Sequence, residues 1–123
     1  MDQILLVEND LYFAQDVMKY FEQNKIPYHF ETDGLHALNA VREKLPAVVI
    51  ADKELPSIDG LSLSKFIKLD EKFSKIKFLL LISSAADELS LEAGLDIDAI
   101  IEKPISPKEL VERLISVLQG GDS

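Results

Sequence analysis

Four places in the sequence join a short apolar run to side chains that can do chemistry. Leu5-Leu6-Val7 leads into Glu8-Asn9-Asp10, Val48–Ala51 into Asp52, Phe78–Ile82 into Ser83, and Ala99–Ile101 into Glu102-Lys103-Pro104. Glu8 and Asp52 offer the hard anionic oxygens that hold a divalent cation. Asp52 can also serve as a nucleophile, Ser83 as a hydroxyl donor and Lys103 as a cation. Brought together, these groups suit transfer of a phosphoryl group to a carboxylate. Asp52 would attack phosphorus, Mg2+ would neutralise oxygen charge, and Lys103 would hold the remaining phosphoryl oxygens.

That chemistry requires the four tips to lie side by side, and the rest of the chain predicts that they do. Apolar runs at Ile4–Val7, Tyr28–Phe30, Val48–Ala51, Phe78–Ile82 and Ala99–Ile101 alternate with segments of helical spacing. The helical stripes are Ala14, Val17, Met18 and Phe21; Leu35, Leu38 and Val41; Leu63, Phe66 and Ile67; and Leu110, Leu114 and Leu118, widened by Val111 and Ile115. Ser106-Pro107-Lys108-Glu109 is a capping box with proline at the first helical position. Ser84-Ala85-Ala86-Asp87 resembles a second cap, with Gly94 as the matching stop, and Asp33-Gly34 and Asp59-Gly60 mark turns at helix starts. Asp10 is expected to cap the first helix rather than to bind a ligand. Strands alternating with helices in this way give an α/β doubly wound domain, whose ligands bind at the carboxyl ends of the strands.

The 123 residues suit one domain. A formal net charge of −9 argues against direct contact with nucleic acid, which calls for clustered Lys and Arg. No cysteine is present, which excludes disulfides and zinc-thiolate sites. No apolar run approaches the roughly 20 residues of a membrane span, and a cytoplasmic protein is expected. His29 and His36 show no metal or catalytic pattern and are expected to be structural or surface residues. The acidic residues Asp87, Glu88 and Glu92 are expected on a solvated helix face.

In order, these stretches resemble the receiver domain of two-component response regulators, over essentially the whole chain. "VVIADKELPSIDG" looks like the family's phospho-acceptor strand and the loop after it. "FLLLISS" is similar to the strand that ends in Thr or Ser, and "AIIEKPIS" to the Lys-Pro element. The resemblance implies a flavodoxin-like five-stranded parallel sheet of order 2-1-3-4-5 with five helices over residues 1–119, with 120–123 as a tail or linker stub. It implies Asp52 as phospho-acceptor, Glu8 and Asn9 at the acidic pair, Ser83 as the switch hydroxyl and Lys103 as the phosphate-binding lysine. Mg2+ would be held by Glu8, Asn9, Asp52 and the Glu54 backbone carbonyl. The Lys103-Pro104 bond is often cis in this family. The implied partners are a histidine kinase or phosphotransfer protein, and a downstream protein that reads a face made of helix 4, strand 5 and helix 5. Such a domain is a signalling module rather than a turnover enzyme.

Two departures stand out. Asn9 keeps an oxygen where the family usually has a second acid, so Mg2+ affinity is expected to fall. The same substitution relieves repulsion between carboxylates and does not forbid chemistry at Asp52. Ile100 stands where receivers usually carry Tyr or Phe, and the spacing from Gly94 to Lys103 is about two residues longer than usual, so an atypical output surface is expected. A phosphorylation-independent pseudo-receiver that only binds a partner is the alternative. Asp52-Lys53-Glu54 also faintly resembles the Asp-x-Asp loop of haloacid-dehalogenase-like phosphatases, but the second Asp and a cap domain are missing. No DNA-binding helix pair is seen after residue 119, which suggests a stand-alone or excised receiver.

Overall fold

A computed structural model describes residues 3–84 and 97–120. Its elements run β1 (Ile4–Val7), α1 (Leu11–Gln23), β2 (Tyr28–Glu31), α2 (Gly34–Lys44), β3 (Val48–Asp52), α3 (Gly60–Leu69), β4 (Lys77–Ile82), β5 (Ala99–Glu102) and α4 (Pro107–Leu118). All five strands pair in parallel in the order β2-β1-β3-β4-β5. This is the expected doubly wound α/β sheet. The described residues hold four helices. The helix expected between the Ser84 cap and Gly94 falls in 85–96, outside the described residues, as do Asp87, Glu88 and Glu92.

Alternate side chains of a strand point to opposite faces, and here each face meets its own helices. Ile4 and Leu6, Val48 and Ile50, Leu79 and Leu81, and Ala99 and Ile101 pack with Ala14, Val17 and Phe21 of α1 and Leu110 and Leu114 of α4. Leu5 and Val7, Val49 and Ala51, and Phe78, Leu80 and Ile82 pack with Ala37 and Val41 of α2 and Leu63 and Ile67 of α3. With helices on both sides, β1 and β3 are buried at every position.

The helix starts follow the cap chemistry. Asp10, Asp33, Asp59 and Ser106 each accept a backbone N–H three residues on, from Phe13, His36, Ser62 and Glu109. Two expected core positions face solvent instead. Leu35 is 49% exposed and Phe66 is 51% exposed, because α2 turns Ala37, Leu38 and Val41 inward and α3 turns Leu63 and Ile67. On α4, Ile115 and Leu118 are also partly exposed, whereas Val117 is buried.

Candidate functional site

Parallel register brings the expected tips to one edge of the sheet. Val7 pairs with Ala51, so Glu8 and Asp52 sit on adjacent strands at the same level. Ile82 pairs with Glu102, and the Lys103 N–H donates to the Ile82 carbonyl at 2.8 Å, which sets Ser83 and Lys103 beside one another. Gly60 closes the loop after β3 onto the strand. A Cβ at that position would meet the Asp52 carbonyl oxygen at 2.3 Å, so only glycine permits the approach.

Glu8, Asp52 and Lys103 converge. Glu8 is fully buried and Asp52 nearly so. The Lys103 ammonium lies between them, 3.0 Å from Glu8 Oε1 and in an ion pair with Asp52 Oδ2. The other carboxylate oxygens are also satisfied. Glu8 Oε2 accepts the Asp10 N–H at 3.1 Å, and Asp52 Oδ1 accepts the Glu54 N–H at 2.7 Å. Burial pushes the Glu8 carboxyl above its ordinary value. The Asp10 N–H opposes this, the Asp52 charge adds to it, and Lys103 lowers it again. Burial pulls the Lys103 ammonium down, but its hydrogen bonds to Asp52 and Glu8, with their charges, outweigh that and leave it above its ordinary value. Two buried carboxyl groups thus share one cation.

Asn9 and Glu54 are exposed, next to Glu8 and Asp52 in the chain. Ser83 is exposed directly after β4. Among the described residues no three His, Cys, Asp or Glu side chains converge in a way that could hold a metal ion. Only two acids meet at the tips, so a cation here would draw on two charges, the Asn9 amide oxygen and a backbone carbonyl. Such an all-oxygen set fits a hard ion such as Mg2+, which keeps several waters and needs only one or two carboxylates. The Lys103-Pro104 bond is cis.

Sequence reasoning missed two groups of residues. Phe13 turns its ring to the Lys103 ammonium, 5.1 Å from the ring centroid, a cation–π contact that places α1 in the site. The Asp10 cap is the signal that could have found it, since it sets Phe13 on the first helical turn beside the strand tips. The second group, Asp33 with Ser57, is joined by a contact between residues 24 positions apart that no sequence spacing reveals. Both histidines pair with acids, His29 with Glu31 at 2.6 Å and His36 with Asp33 at 2.5 Å. Ile100 lies on β5, half-buried against the α2–α3 side of the core.

Comparison with known proteins agrees with this geometry. Residues 4–115 match the response regulator receiver domain family. The chain is 30% identical over 120 residues to the DNA-binding response regulator MtrA of Mycolicibacterium paratuberculosis, covering 98% of this chain and 52% of that protein. It therefore spans about half the length of the curated relatives it matches. The fold is similar to that of the chemotaxis response regulator CheY4 of Vibrio cholerae, with a TM-score of 0.87, 21% identity, and 95% of this chain and 98% of the other covered. It is also similar to the receiver domain of the sensor histidine kinase PA1611 of Pseudomonas aeruginosa, described with magnesium in its active-site cleft; there the TM-score is 0.85 at 20% identity, covering 97% and 98% of the two chains. Sheet order and sequence match agree: this chain belongs to the response regulator receiver domain family of two-component signalling.

Proposed function

We propose that Asp52 accepts a phosphoryl group from a phosphohistidine on a histidine kinase or phosphotransfer protein. An Asp52 carboxylate oxygen forms the new O–P bond as the donor's N–P bond breaks, and the released imidazole nitrogen takes a proton from solvent. The Lys103 ammonium, seated between the buried Asp52 and Glu8 carboxylates, is the observation that supports this most. It is placed to follow charge from the carboxylate to the phosphoryl oxygens. Glu8, Asp52, the Asn9 amide oxygen and the Glu54 carbonyl would hold Mg2+, whose charge would stabilise the same oxygens. Ser83, at the end of the adjacent strand, would donate its hydroxyl to the phosphorylated site and shift the two-state equilibrium that a partner reads. Partly exposed Ile115 and Leu118 support reading α4, which is the fifth of the five expected helices, as part of the readout face together with β5. The receiver unit is read as residues 1–119, with 120–123 as a tail, in a cytoplasmic protein.

The test is intact-protein mass after incubation with acetyl phosphate, with and without Mg2+, beside Asp52→Asn. A single phosphoryl adduct that needs Mg2+ and is absent from Asp52→Asn is the expected result. Absence of the adduct at high Mg2+ and with any histidine-borne donor would leave the phosphorylation-independent pseudo-receiver. Asn9 favours that second reading, because it removes one of the charges a metal would use. In that case partner binding survives Asp52→Asn unchanged.

A further inference from the structure

The loop from Lys53 to Asp59 leaves the phospho-acceptor strand, closes where the Gly60 N–H donates to the Lys53 carbonyl at 2.9 Å, and is held at two further points. Its near end is fixed by Asp52 itself, through the Glu54 N–H on Asp52 Oδ1. Its far end is tied to the first turn of α2. The Gly34 N–H donates to the Pro56 carbonyl at 3.1 Å, the Leu35 N–H donates to Ser57 Oγ at 3.2 Å, and the Ser57 hydroxyl donates to Asp33 Oδ1 at 3.2 Å. Ser57 has a φ of 65°, a left-handed conformation that a non-glycine residue adopts only when its surroundings impose it. The contact is also close. A Cβ on Gly34 would meet the Ile58 carbonyl oxygen at 1.9 Å. Asp33 does more than cap its own helix. One carboxylate accepts the His36 N–H at 2.9 Å, the His36 ring at 2.5 Å and the Ser57 hydroxyl. Glu54, whose N–H makes the near contact, lies two residues from Asp52 and two from Pro56.

We propose that Asp33 and Ser57 are positioning residues for the Asp52 site: their hydrogen bond latches the far end of the loop to α2 and so fixes the Glu54 amide against Asp52 and the Glu54 carbonyl beside it. The proposal rests on Asp52 as the phospho-acceptor and on the Glu54 carbonyl as a metal ligand. It assigns to an edge helix of the sheet a part in the geometry of the acceptor. Partners that orient ligating groups from outside typically change metal affinity or activity by about 10–100-fold when lost.

Three substitutions separate the latch from the cap. Ser57→Ala removes the hydroxyl, and with it the acceptor of the Leu35 N–H, but leaves the Asp33 cap on the His36 N–H. Asp33→Ser keeps a good N-cap, but a hydroxyl too short to span both His36 and Ser57. Asp33→Asn keeps an oxygen for the cap and for Ser57. Two readouts are compared with the unmodified protein: hydrogen exchange of the Glu54 amide, and the Mg2+ concentration for half-maximal adduct formation from acetyl phosphate. Ser57→Ala and Asp33→Ser are expected to speed Glu54 exchange and to raise the half-maximal Mg2+ about tenfold. Asp33→Asn is expected to stay near the unmodified protein on both. Unchanged Glu54 exchange and Mg2+ dependence in a folded Ser57→Ala would overturn the proposal. If the unmodified protein forms no adduct at high Mg2+ from acetyl phosphate or from any histidine-borne donor, the reading of Asp52 fails on its own, and Glu54 exchange alone decides whether the latch holds the loop.

Discussion

Glu8 has none of its surface in solvent and faces a second carboxylate, yet it sits in a folded core because Lys103 and the Asp10 N–H satisfy its oxygens. Removing either partner from such a group costs far more than the pair itself contributes, which makes these residues mutually dependent. The pair at the start of α2 behaves differently. Exposed His36 pairs with the half-buried cap Asp33, whose hydrogen bond and charge raise the imidazole above its ordinary value. The His36 N–H and ring in turn lower Asp33 below 3.8. A raised His contributes stability below its unfolded value and loses it as pH climbs through the folded value. A lowered Asp contributes above its unfolded value and loses it as pH falls through the folded one. The stabilisation therefore lies between the two folded values. Thermal unfolding of His36→Gln and the unmodified protein should differ below the ordinary imidazole value and converge as pH rises through the raised value His36 has in the folded protein. A difference in Tm that stays constant over this range would show that the pair is not electrostatic.

At the scale of elements, one half-buried lysine holds the end of α3 to the sheet. Lys68 is 10% exposed and donates to the Ile76 carbonyl at 2.7 Å and to Asp98 Oδ2 at 3.2 Å. The same Asp98 oxygen accepts the Phe78 N–H at 2.7 Å, so the network joins α3 to the starts of β4 and β5. Lys68→Met should cost about 1–2 kcal/mol, since it takes a charged donor from the Ile76 carbonyl and from Asp98, although Asp98 keeps the Phe78 N–H and Lys77. Urea unfolding measures this, and a loss below about 0.5 kcal/mol would mean that water replaces the ammonium. α2 and α3 also show where helical periodicity falls short. Leu35 and Phe66 fit the apolar spacing, but the small residues Gly34, Ala37 and Ala40 let α2 lie close to its neighbours on a narrower face.

Across the whole molecule the sheet separates two apolar layers, and its central strands belong to both. Leu81 on β4 is fully buried, paired on one side with Asp52 and on the other with Ile101. Leu81→Ala should cost about 3–4 kcal/mol, from lost transfer energy and the cavity left in a layer closed by α1 and α4. Chemical denaturation gives the value, and a cost under about 1 kcal/mol would show that the layer collapses around the gap. Such a loss is a large part of the stability of a domain this size.

Short apolar runs, cap residues and turn glycines sufficed to read the five strands, their alternation with helices, and Glu8, Asp52, Ser83 and Lys103 at the strand ends, because these signals are local in the chain. Local chemistry also set the caps at Asp10, Asp33, Asp59 and Ser106. Only the tertiary structure decided what those groups touch. Parallel register put Lys103 between two carboxylates 95 and 51 positions away, helix packing brought the Phe13 ring to the same ammonium, and the approach of α2 to the β3–α3 loop joined Asp33 to Ser57. Those contacts depend on how strands and helices pack in three dimensions, and a one-dimensional pattern holds no record of it.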